Sequence, residues 1–420
     1  MRVLVIGAGI GGLTTALRLR HAGVDCVVYE QAGRIHELGV GINLLPNVVA
    51  ELAEVGLLDE LAAAGIRTRE LLYAHRLGQE IMLRPCGLDA EFALPQISIH
   101  RGRLQAILLR AVQEQLGPEA VRTGHRLTGF AEETRSGQEG RGVRADFAAP
   151  DGTVLGSDNG DVLIGADGIH SAVRAALFPD EGPPKWNGIT MWRGAADWPA
   201  YGGGDSMLIA GGNTAKLVVY PIGPGNAPET RLTNWALCWR TGRPGDPPPY
   251  RADWSRTADA DDIARLLRHF STPHLDHTAL VRATEGIFEF PMCDRDPLPA
   301  WTRGRVTLLG DAAHPMYPMG SNGAGQAIKD AACLARCLSP GSRTGGDPAA
   351  ALRAYEAERL PATSDVVIRN RAGGPEQVID EVERRAPNGF DRLEDVIDPA
   401  ELAKIVNGYA RASGQTARGA

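Results

Sequence analysis

The opening stretch of this chain confines it to a narrow set of folds. Val3 to Ile6 form a short apolar run of the kind that makes a central parallel strand. Gly7, Gly9 and Gly12 follow with Gly-x-Gly-x-x-Gly spacing, Gly11 lies inside the same turn, and Leu13, Leu17 and Leu19 continue into an amphipathic helix. Glycine permits the tight turn, the close approach of backbone to a pyrophosphate and the close packing of helix on strand. The helix start supplies free N–H donors and the positive end of its dipole. A second strand, 26–29, ends at Glu30 beside Gln31, about twenty residues on, where a carboxylate meets a ribose diol. A glycine-rich turn without a ligand has no need of an acid there. The pattern points to a dinucleotide site.

At 420 residues the chain exceeds one ordinary core, so two closely joined domains are expected. The net charge of −7 argues against nucleic acid, which calls for a basic face. No apolar run is long enough to cross a bilayer, and the N-terminus enters a strand at once, so a cytoplasmic setting is expected. The six cysteines, at 26, 86, 238, 293, 333 and 337, form no Cys-x-x-Cys pair, and Cys333 and Cys337 share one helix face as packing residues. No metal is expected.

Residues 1–70 read as strand, helix, strand and a further helix over 47–58. Short alternating strand pieces fill 71–99. A helix over 103–115 carries Leu104, Ile107, Leu108, Ala111 and Val112 on one face, and strand-rich sequence then closes on 162–168. Alternating apolar positions and tryptophans at 189–192, 207–210, 217–220 and 232–239 predict an antiparallel sheet, interrupted by a helix over 261–270. The first domain resumes at 306–311, a helix over 323–338 follows, and helices fill most of the rest, with a frayed tail after residue 413. The predicted class is α/β. A Rossmann-type domain of residues 1–70, 100–182 and 286–375 interleaves with an antiparallel-sheet substrate domain of 71–99 and 183–285, and residues 376–420 form a C-terminal helical segment.

Two later motifs follow buried strands. One is Asp-Gly-Ile-His-Ser-Ala-Val-Arg, from Asp167 to Arg174; the other is Gly-Asp-Ala-Ala-His-Pro, from Gly310 to Pro315, with Gly320 to Gly325 opening the next helix. In this order and at these separations, the three motifs resemble those of the flavoprotein aromatic hydroxylases of the para-hydroxybenzoate hydroxylase fold. The resemblance implies that the first motif binds the ADP half of FAD. It implies that the motif at Asp167 serves FAD and the incoming nicotinamide, and that the motif at Asp311 holds the ribityl chain and riboflavin. Arg101, in Ser-Ile-His-Arg-Gly, matches an arginine that reaches the FAD phosphates and ribityl region, and Gly41 lies in a matched Leu-Gly-Val-Gly-Ile-Asn stretch. Within the family the chain is most similar to phenazine hydroxylases, through Gly-Ile-Thr-Met-Trp-Arg-Gly at 188–194, Asp-Arg-Asp-Pro-Leu-Pro at 294–299 and Tyr-Pro-Met-Gly at 317–320. The likeness weakens after about residue 370. Ser321 and Gly325 stand where alanine and serine are expected.

The implied activity is that of a single-component FAD-dependent monooxygenase. NAD(P)H reduces the bound flavin, O2 adds to give a C4a-hydroperoxide, and an electron-rich aromatic carbon is hydroxylated. The implied substrate resembles phenazine-1-carboxylate, and CO2 leaves if the carboxylate sits on the attacked carbon. Gly320, Asn322, Gly323 and Ala324 are expected to aim backbone N–H groups at the flavin N1/O2 edge. Pro315 is expected to give a dry wall beside C4a and N5, which protects the hydroperoxide. Trp192, Tyr220 and Trp235 are the candidate stacking residues, with Met319 on the flavin side; Pro315, Trp192 and Tyr220 are the candidate catalytic residues. Trp192 and Arg193 are successive on a strand, so only one faces the pocket; Trp192 is the residue assigned there. His314 is expected to support the flavin loop, and His100 and His170 to be structural. With no second Gly-x-Gly-x-x-Gly, the nicotinamide has no Rossmann domain of its own; the resemblance implies that it binds transiently, and NADH and NADPH both stay open.

The partners expected are a small aromatic substrate and, as an open alternative, a second copy of the chain in a homodimer. Three other readings compete. The same chemistry on another bicyclic or polycyclic aromatic stays open. A flavin halogenase is disfavoured by the lack of a Trp-x-Trp-x-Ile-Pro segment and of an obvious lysine near the flavin loop. A non-catalytic flavin redox sensor has no use for three flavin motifs joined to an aromatic-rich sheet.

Overall fold

Strand Arg2–Ile6 stands at the centre of a five-stranded parallel sheet, as its unbroken apolar run requires. The order across this sheet is Val306–Leu308, Val162–Gly165, Arg2–Ile6, Asp25–Tyr29 and Val121–Arg122. The computed structural model describes residues 1–37, 39–134, 141–251, 256–273, 275–344 and 346–412. Helices Ile10–His21, Arg101–Leu116 and Gly323–Leu338 pack on the sheet through Leu13, Leu17, Leu104, Leu108, Ile328 and Leu334, all fully buried. An antiparallel meander of Arg126–Thr134, Arg141–Ala148 and Val154–Gly160 flanks it.

A second sheet has seven strands, in the order Phe288–Asp294, Lys185–Pro199, Thr230–Arg240, Ala215–Pro224, Ser206–Ala210, Glu70–Ala74 and Glu80–Pro85. Every pairing is antiparallel except that of Ser206–Ala210 with Glu70–Ala74. Successive side chains alternate between two faces. The outer face buries Leu217, Val219, Trp235 and Leu237 under helices Ala260–Leu267 and His277–Arg282. The inner face lines a cleft shared with the turn after strand Arg2–Ile6. Part of it, at Tyr73, Met207 and Ile209, is covered by Val378, Ile379 and Val382 of helix Gln377–Arg385 and by Leu402 and Val406 of helix Pro399–Ala412. A small sheet of Gly41–Leu44, Gln96–His100 and Ile66–Thr68 packs against strand Ala215–Pro224 of the seven-stranded sheet.

Several elements differ from expectation. The helix expected over 47–58 is two, Pro46–Ala53 and Leu58–Ala64, divided at Gly56, whose φ of +83° is left-handed and ends a helix. The strand pieces of 71–99 divide between two sheets, because Gln96–His100 pairs with Gly41–Leu44 rather than with the seven-stranded sheet. The helix near 261–270 runs Ala260–Leu267 from an Asp259 N-cap, and His277–Arg282 was not foreseen. The tail after residue 413 lies outside the described residues.

Candidate active site

The glycine turn after Ile6 divides into packing and open positions. A Cβ at Gly12 would stand 1.9 Å from Gly7 O, one at Gly7 (φ +107°) 2.5 Å from Ala166 O, and one at Gly11 2.8 Å from Leu309 Cδ2. At Gly9 a Cβ would meet nothing within 4 Å, and Gly9 and Gly11 line a cleft. Helix Ile10–His21 starts there with no side-chain cap and no acid in its first turn, so its leading N–H groups stay available to an anion. Glu30 lies at the end of the next strand. Its carboxylate accepts from Ala8 N and Ala32 N, both at 2.9 Å, and Gln31 beside it is exposed.

The flavin-loop candidates converge on the same cleft. Gly320, Asn322, Gly323 and Ala324 line it, together with Gly41, Arg101 and Asp311. Helix Gly323–Leu338 repeats the pattern of the first helix: no side-chain cap, no acid in the first turn, and open space at Gly323. Asp311 is open to the cleft, and the protein packed around its carboxyl pushes the pKa up, while His314 and Arg101 oppose the shift. Burial lowers the Arg101 pKa, opposed by Asp311. Gly41 donates to Asn234 Oδ1 at 2.8 Å, and a Cβ there would stand 2.6 Å from Ile222 Cγ2 and 2.7 Å from Tyr220 Cε2. Asp167 uses both carboxylate oxygens on the start of helix Ala172–Leu177, accepting from Ser171 Oγ at 2.5 Å and Ala172 N at 2.7 Å; Ala166 and Gly168 on either side line the cleft.

His314 is buried behind the loop. Its Nε2 lies 2.5 Å from Asp330 Oδ2, and Asp330 also accepts from Gly310 N at 3.1 Å and Arg359 Nε at 2.7 Å. Burial pushes the Asp330 carboxyl up, but His314 and Arg359 outweigh it and hold the pKa at about 2. These bonds make His314 a brace of the loop. Pro315, expected on the cleft wall, is buried away from it; Met316 and Pro318 take that place. Met319 also stands behind the wall, in a cluster with Met191, Cys238 and Tyr317.

On the seven-stranded sheet the choice between Trp192 and Arg193 falls the other way from expectation. Met191 and Arg193 face the cavity, so Trp192 faces outward and donates from Nε1 to Glu289 Oε2 at 2.9 Å. Trp235 is likewise on the outer face, wholly buried, with Nε1 donating to Thr284 Oγ1 at 2.8 Å. Of the three stacking candidates, Tyr220 alone lines the cavity. Arg193 donates to Gly41 O, and its buried Nε has no partner among the described residues.

Sequence reading missed three charged wall residues: Arg84, Lys216 and Glu376. A charge inside an alternating apolar strand, as at Lys216, is the signal that could have marked the inner face. The cavity holds about 410 Å³, within the usual range for a small-molecule site. Its lining carries Arg84, Arg101, Arg193 and Lys216 against Asp311 and Glu376, an excess of positive charge in a chain of net −7. Two helix starts without side-chain caps, an open glycine at each, and Arg101 and Asp311 in the same cleft fit an extended dinucleotide such as FAD. No cluster of three or more histidine, cysteine or acidic side chains able to hold a metal occurs among the described residues.

Fold and site together define an FAD-dependent aromatic hydroxylase of the para-hydroxybenzoate hydroxylase fold. Residues 1–370 match the FAD binding domain family, and the chain belongs to it. It is 43% identical over 372 residues to a phenazine 1,6-dicarboxylic acid hydroxylase of Lysobacter antibioticus, covering 88% of this chain and 89% of that relative. It is 35% identical over 370 residues to an aurachin C monooxygenase/isomerase of Stigmatella aurantiaca, covering 87% of each. HpxO of Klebsiella pneumoniae, solved in complex with FAD and uric acid, superposes with a TM-score of 0.71 at 27% identity, over 99% of this chain and 95% of that one. No helix among the described residues is long and apolar enough to cross a membrane.

Proposed function

We propose that this chain uses NAD(P)H and O2 to hydroxylate a planar aromatic acid of the phenazine-carboxylate type, with loss of CO2 when the carboxylate stands on the attacked carbon. The observation that carries the reading is the positive excess on the cavity wall beside the flavin loop, in an otherwise acidic chain. The 43% identical relative, named for a phenazine dicarboxylic acid, supports the polycyclic choice. When bound, FAD supplies the redox chemistry, taking up electrons from NAD(P)H and activating O2.

The chain's own residues position and dry the site. The starts of helices Ile10–His21 and Gly323–Leu338 offer N–H donors to the phosphates and to the developing negative charge of the reduced ring. Glu30 and Asp311 receive sugar and ribityl hydroxyls, and Arg101 offsets the phosphate charge. Tyr220, Met207, Ile209 and Val218 give the substrate ring a flat wall on the sheet side. Their apolar surface keeps water from the reacting atoms, so oxygen goes to the ring rather than to H2O2. A cytoplasmic setting, where NAD(P)H is available, goes with this reading.

The test is turnover under ¹⁸O2 with NADH or NADPH, offering phenazine-1-carboxylate and its N-methyl form, read by mass spectrometry. Organic product carrying one labelled oxygen is expected. Labelled H2O2 without organic product would remove the phenazine assignment and leave the FAD-dependent hydroxylase class in place.

A further inference from the structure

One ion pair on the cavity wall joins the sheet to the segment after the flavin loop. Lys216, on strand Ala215–Pro224, and Glu376, just before helix Gln377–Arg385, are each 4% exposed; both line the cavity and they pair with each other. Burying two charges forfeits their hydration even when they pair, and two well-packed apolar side chains often fasten such elements as well. Fastening alone therefore does not account for the pair. An ammonium has three donors, and here one goes to Glu376 while another meets Met319 Sδ at 2.9 Å, a weak acceptor. In register with Lys216 on one side of its strand are Cys238 and then Met191, neither of which is a better acceptor. Glu376 is held from its other side, accepting from Gly320 N at 3.4 Å. Burial disfavours the ammonium, but Glu376 outweighs that, so Lys216 stays charged.

We propose that Lys216 is the specificity-determining cation of this site. Its ammonium takes the carboxylate of an aromatic acid in place of the Met319 thioether, and Glu376 is the counter-ion that keeps it charged and aimed when no acid is bound. The proposal rests on the reading of the substrate as an aromatic acid. Arg84, Arg193 and Lys216 against Glu376 accommodate one more negative charge, so Glu376 need not leave.

The test uses FAD-loaded protein and reads ligand affinity from the perturbation of flavin absorbance, with two pairs of probes: phenazine-1-carboxylate and its carboxamide, and 1-naphthoate and its carboxamide. The wild type is expected to bind each acid at least about tenfold tighter than its amide. Lys216→Met is expected to erase that preference by weakening the acids alone, and Lys216→Arg to keep it. If Lys216→Met does not retain FAD, the double variant K216M/E376Q, which strands no charge, must show the same loss. Equal weakening of acids and amides, or an unchanged preference, overturns the role of Lys216 while the proposed function stands. A wild type that binds neither acids nor amides removes the proposed substrate class and this proposal with it.

Discussion

At Gly12 a Cβ would stand 1.9 Å from Gly7 O, whereas at Gly9 it would meet no protein atom within 4 Å. Gly12→Ala must therefore disturb the turn itself, and we expect protein that retains less than about a tenth of its FAD and melts several degrees lower, read by the 450 nm to 280 nm ratio and a thermal scan. Gly9→Ala leaves the apoprotein intact and fills ligand space, so its apoprotein melts like the wild type while FAD affinity falls about tenfold or more. Asp330 carries a pH prediction. Its pKa in the folded chain, about 2, lies below the ordinary 3.8, so its stabilising contribution is complete above about pH 4 and is lost as pH falls towards 2. Asp330→Asn is expected to lose about 2 kcal/mol at pH 7 and much less at pH 2.5, measured by denaturant unfolding at the two pH values. The glycines and Glu30 were legible in sequence because their chemistry is local. The partnership of His314 with Asp330 was not, since the His-Pro motif does not say which way the ring turns.

Strand Lys185–Pro199 shows what an element adds to its residues. Alternation fixed that Trp192 and Arg193 oppose each other, but the face each takes depends on helices Ala260–Leu267 and His277–Arg282, which cover the outer side. Trp192→Phe is accordingly expected to leave substrate affinity within about twofold and to cost about 1 kcal/mol of stability through the lost bond to Glu289; binding titration and unfolding check the two halves. The flavin loop depends on another element as well. Tyr409 Oη, on helix Pro399–Ala412, accepts from Asn322 Nδ2 at 2.7 Å and donates to Asn370 Oδ1 at 2.6 Å, and it lies 3.2 Å from Met319 O. Tyr409→Phe removes that anchor. Faster hydrogen exchange across 318–326 is expected, with a stability loss of about 1–3 kcal/mol.

The molecule as a whole closes its cavity with a segment that follows the family match at 1–370. Val378, Ile379 and Val382 lie on Tyr73, Met207 and Ile209, and Glu376 reaches Lys216 on the sheet and Gly320 on the loop. A chain ending at Arg371 would bare that wall to water. It is expected to keep the parallel sheet but to release most reducing equivalents as H2O2, read by peroxide assay against product formed.

The α/β class, the glycine turn and Glu30, the helix over 323–338 and the presence of a second, strand-rich sheet are all legible in the order of residues alone. Each rests on periodicity or on short-range backbone demands that neighbouring residues express directly. Tertiary structure decided which face of that sheet looks into the cavity, and so placed Arg193, Lys216 and Tyr220 there while sending Trp192 and Trp235 outward. It also brought Glu376, 160 residues away in sequence, onto Lys216. A strand pattern is unchanged when its two faces are exchanged, so only the elements packed against each face settle which residues meet the substrate.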